Sequence, residues 1–69
     1  MAPKPLAMLT LEPPEGRAIA LRVWSLHHFA ATKGLARRWT TEHRGGATLR
    51  LTRTGVVLFR IKAKKRRRP

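Results

Sequence analysis

Cysteine, tyrosine, aspartate, asparagine and glutamine are all missing from this 69-residue chain. Without cysteine there is no disulfide to brace a small fold and no thiolate to hold zinc. Without asparagine and glutamine, the usual bidentate readers of adenine are gone. Acid is scarce as well. Glu12, Glu15 and Glu42 stand against 16 lysines and arginines. These carboxylates are spread along the chain, and Ser25 is the single serine. No paired acid–base or nucleophile–base arrangement is visible, so no enzymatic activity and no cofactor are expected. No apolar run reaches the roughly 20 residues that a membrane-crossing helix needs. The apolar start of the chain is interrupted by Pro3 and Pro5 and lacks the pattern of a signal peptide. The expected location is cytoplasmic: nucleoid-associated in a bacterial or phage setting, nuclear in a eukaryotic one.

What remains is strongly basic, with a formal net charge of +13. Such a surface calls for an anionic partner. Nucleic acid, an acidic protein surface and an anionic membrane are the physical candidates. Arginines outnumber lysines 11 to 5. The planar guanidinium fork suits bidentate contacts to phosphate or guanine. His27, His28 and His43 are the only imidazoles. Adjacent histidines diverge on a helix, and no cysteine or aspartate completes a shell, so no metal site is expected.

The chain divides into an N-terminal arm (1–13), one small domain (14–62) and a basic tail (63–69). Ile19, Val23, Leu26 and Ala30 recur at helical spacing, which predicts a helix over about 14–33, stopped at Lys33 and Gly34. A competing reading exists. Ile19, Leu21 and Val23 also alternate, so Pro13, Pro14, Glu15 and Gly16 could turn a hairpin between 6–11 and 18–24. The second half reads as strands over 37–44, 47–53 and 56–62, separated by Gly45-Gly46 and Thr54-Gly55. With a three-residue loop ending on a left-handed Gly55, Leu51 faces Val57, Leu49 faces Phe59 and Ala47 faces Ile61. The same logic brings Trp39 opposite Leu51. The predicted fold is α+β: one helix on a three-stranded antiparallel sheet, in the order α-β-β-β, with an extended N-terminal arm.

That register places Arg38, Arg50, Arg60 and Lys62 among Thr40, Thr48 and Thr52 on the other sheet face. Arginine and threonine are suitable phosphate donors. Arg37, Arg44 and Arg53 add charge around the strands and turns. Lys64, Lys65, Arg66, Arg67 and Arg68 form a run that can neutralise phosphates and release counterions. Leu21 and Trp24 fall outside the apolar stripe and are candidates for a dimer or partner contact.

The leading expectation is a small non-enzymatic nucleic-acid-binding protein, such as a phage or plasmid regulator or a nucleoid protein. DNA is favoured over RNA because three of the four aromatic residues are assigned to the core, leaving no platform for stacked bases. The alternatives are a factor docking on an acidic surface of a polymerase or nuclease, and a ribosome-associated RNA-binding protein. Membrane-surface binding is disfavoured.

Overall fold

The chain begins with a hairpin. In the computed structural model, which describes residues 3–63, strands β1 (Ala7–Glu12) and β2 (Ile19–Val23) pair antiparallel. Pro13 and Pro14 break the first strand. Gly16 turns the chain at φ +99°, a backbone angle that side chains with a Cβ rarely adopt. Helix α1 (Phe29–His43) follows, then strands β3 (Gly46–Leu51) and β4 (Val57–Ile61). The four strands form one antiparallel sheet in the order β2-β1-β3-β4. The class is α+β, but the element order is ββαββ rather than αβββ.

The hairpin reading therefore replaces the helix expected over 14–33. Ile19, Leu21 and Val23 sit opposite Leu11, Leu9 and Ala7. The β-branched Ile19 and Val23 fit a pleated strand, and their fourfold spacing satisfies strand alternation as well as a helical face. The segment expected as an extended arm supplies a central strand, whose Ala7, Leu9 and Leu11 are buried.

The expected strand over 37–44 is the second half of α1. Gly34 does not stop that helix. The buried stripe is Ala36 and Thr40, with Phe29, Thr32 and Trp39 half-buried beside them. Packing of this stripe on β3 and β4 outweighs the weak helix propensity of one glycine. The helix ends at Arg44, which takes a left-handed conformation at φ 56°. Gly45 and Gly46 are not a hairpin turn between two strands. They carry the chain from α1 into β3 at close quarters. A Cβ on Gly45 would run into the Glu12 carbonyl oxygen and lie 2.7 Å from the Trp39 ring.

In the second hairpin Leu49 faces Phe59 and Ala47 faces Ile61, as the alternation requires. The turn is one residue longer than expected. The Leu51 amide donates to the Val56 carbonyl (2.8 Å) and the Gly55 amide to the Leu51 carbonyl (2.9 Å). Gly55 is left-handed, at φ +77°. The extra residue is absorbed by a bulge between Leu49 and Arg50, so Val57 faces Arg50 rather than Leu51. Trp39, now helical, does not pair with Leu51. It packs against the core.

Candidate nucleic-acid interface

Side chains alternate across a strand, so the residues between core positions project from the opposite face. On β1 and β3 these are Met8, Thr10, Thr48 and Arg50. Two rows cross the sheet. One runs Arg22–Met8–Arg50, and the next runs Ala20–Thr10–Thr48–Arg60. With strands about 4.8 Å apart, Arg22 and Arg50 leave the backbone about 10 Å from each other. Arg22, Arg50 and Arg60 are all exposed, while Thr10 and Thr48 are half-buried. An open depression of about 480 Å³ lies along these rows. Met8, Thr10, Thr48, Thr52, Arg50 and Arg60 help to line it.

The charge of this face follows from its residues. Glu12 is the single carboxylate lining the depression. The guanidinium groups offer forked donors to a planar or tetrahedral oxyanion, and the threonine hydroxyls can donate between them. Among the described residues no apolar cover lies over this face, because α1 packs on the other side against the core that holds Ala47 and Leu49.

The expected site residues separate into groups. Arg50 and Arg60 share the helix-free face with Thr48 and Thr52. Arg38 and Thr40 do not join them, since both lie on α1. Thr40 is buried, and its hydroxyl donates to the Arg37 carbonyl at 2.9 Å. Arg37, Arg38 and Arg44 belong to the helical side of the molecule, because residues 37–44 are helix and helix end rather than strand. Arg37 and Lys62 border a groove of about 150 Å³ between α1 and the end of β4, and Lys62 also lines a depression with Thr48 and Arg60. Arg53 lies in the β3–β4 turn, in a depression shared with Lys4. Lys64, Lys65, Arg66, Arg67 and Arg68 lie outside the described residues. Leu21 and Trp24 are 44% and 56% exposed, on and just after strand β2 rather than on a helix.

Sequence reasoning missed Arg22, Met8 and Thr10. Their signal was present in the alternation of Arg22 against Ile19, Leu21 and Val23, which counts only if that segment is a strand. The His27 backbone amide donates to the Ser25 hydroxyl (3.2 Å), and His43 stacks on Trp39 at 4.6 Å between ring centroids. Among the described residues no three His, Asp or Glu side chains gather where they could hold a metal ion. No protein-family model, no curated protein and no solved structure matches this chain.

Proposed function

We propose that this protein is a non-enzymatic nucleic-acid-binding protein that lays the helix-free face of its sheet on the sugar–phosphate backbone. The observation that carries the reading is the grouping of Arg22, Arg50 and Arg60 with Thr10 and Thr48 on a face that α1 leaves open. Residues 64–68, five consecutive cations, extend the contact along the strand. Three strand spacings make the face about 14 Å wide, more than the roughly 12 Å of the B-DNA major groove. The sheet therefore lies across phosphates rather than entering the groove. Duplex DNA is the favoured ligand. Phe29, Trp39 and Phe59 pack on the helix side, which leaves Trp24, just after β2, as the one exposed tryptophan or phenylalanine ring among the described residues and no row of rings on which successive unpaired bases could stack.

Fluorescence anisotropy with labelled duplex DNA, duplex RNA and single strands, across a salt series, tests this. Binding to duplex DNA should weaken steeply with salt. Eight phosphate contacts, from the three face arginines and the five tail cations, imply a log–log slope of about −7. No binding to any of the probes at low salt overturns the proposal, and a shallow slope overturns a phosphate-dominated contact. Removing residues 64–69 should lower affinity for all sequences alike. A second reading, docking on an acidic protein surface, draws on the exposed Leu21 and Trp24. It predicts that alanine at these two positions weakens protein capture and leaves bare DNA affinity unchanged.

A further inference from the structure

The two edges of the sheet are built differently. Strand β4 carries Arg60, is followed by Lys62, and lies across the bulge between Leu49 and Arg50. Charges and bulges discourage further strand pairing. Strand β2 keeps five residues in unbroken register with β1, and among the described residues its other side has no strand beside it. Its one charged residue is Arg22. Ile19 and Leu21 project from the helix-side face, yet α1 lies over β3 and β4, leaving them 45% and 44% exposed.

We infer that β2 pairs antiparallel with β2 of a second copy of this chain, about a two-fold axis through Leu21. Facing residues must project to the same side, so a two-fold perpendicular to the sheet passes through a residue position. An axis at Arg22 sets two arginines directly opposite each other. An axis at Ala20 leaves part of β2 without a strand partner. The axis at Leu21 pairs all five residues: Leu21 with the partner's Leu21, Ile19 with the partner's Val23, and Arg22 with the partner's Ala20. Like charges then stand diagonal rather than opposed. The pattern is self-complementary, which fits a second copy of this chain as the occupant. The product is one continuous eight-stranded sheet with Arg22, Arg50 and Arg60 of both copies on a single face.

A five-residue ladder is smaller than the roughly 800 Å² per partner of a standard interface. Each copy also carries +13. Association is therefore concentration-dependent and strengthens as salt screens the repulsion. It can be measured without nucleic acid, so its failure would not touch the binding proposal. Sedimentation velocity of the full chain should show a dimer that grows with concentration and with salt. Leu21→Lys should weaken it on the order of tenfold while leaving the circular dichroism spectrum unchanged. The chain has no cysteine, so single-cysteine variants report register. Under mild oxidation in high salt, Leu21→Cys should give a disulfide-linked dimer. Ala20→Cys and Arg22→Cys should cross-link poorly alone and readily when mixed. A chain that stays monomeric at every concentration and salt overturns the inference, as does equal cross-linking of all three variants on their own.

Discussion

Strands β1 and β3 carry two unlike surfaces on one backbone. Ala7, Leu9, Leu11, Ala47 and Leu49 form the buried side. Met8, Thr10, Thr48 and Arg50 form the side that the helix leaves open. The first surface supplies the stability, and the second supplies the charge. Both depend on one register, because a slip of a single residue would exchange the two. Substitutions on the open face keep the fold only while the buried face holds that register in place. Leu49 and Arg50 are consecutive residues on opposite sides, so they set the comparison at its sharpest.

Leu49 is fully buried at the centre of the core. Leu49→Ala removes its contacts with the neighbouring strands and helix and should lower stability by about 2–5 kcal/mol. A domain this small has few reserves, so the variant should be largely unfolded in a urea titration. A loss comparable to an ordinary surface substitution would break the distinction between the two faces. Gly45→Ala should be the next largest effect. The added methyl meets both the Glu12 backbone and the Trp39 ring, which packs α1 against the core, so both have to give way. Overpacking of this kind costs about 1–3 kcal/mol, readable as a lower thermal midpoint.

These positions also mark how much could be read from the sequence. The β3–β4 hairpin was legible because Leu49, Phe59, Ala47 and Ile61 alternate cleanly and Gly55 marks the turn. The first half was not, because Ile19 and Val23 fit two periods at once. Only long-range pairing with β1 decides between them. The true helix was obscured for the opposite reason. Its core stripe is built from Ala36 and the polar Thr40 beside Trp39, and Gly34 interrupts it. Burial of that stripe depends on β3 and β4, which lie later in the chain. Of the candidate site, the placement of Arg50 and Arg60 on one sheet face was legible through the hairpin. Arg22 was hidden by the same ambiguity as β2, and Arg38 was misplaced together with its supposed strand.

Gly34→Ala tests the helix that separates the two faces. Gly34 sits in the interior of α1, exposed, and an added Cβ meets no atom within 4 Å. The substitution removes backbone freedom from the unfolded chain without a steric penalty. It should raise stability by about 0.5–1 kcal/mol. Because Gly34 lies on the covered side of the sheet, DNA affinity should stay unchanged. A change in affinity at constant salt would mean that the helical surface, with Arg37 and Arg38, takes part in binding.

Arg50→Ala should have the smallest effect on folding and a clear one on binding. The side chain is exposed on the open face and takes no part in the buried cluster. Its removal should change stability by less than about 0.5 kcal/mol. It stands between Met8 and Val57 in the row that carries Arg22, beside the row that carries Arg60. If it contacts one phosphate, its loss should reduce the magnitude of the salt slope by about 1, with similar weakening for every sequence. Arg38→Ala removes the same charge from the helical side and is the matched control. Bulk charge alone would make the two variants equivalent, because net charge acts over the whole molecule. A larger slope change for Arg50 than for Arg38 would locate the contact on the open face, and equal changes would remove the basis for assigning binding to that face.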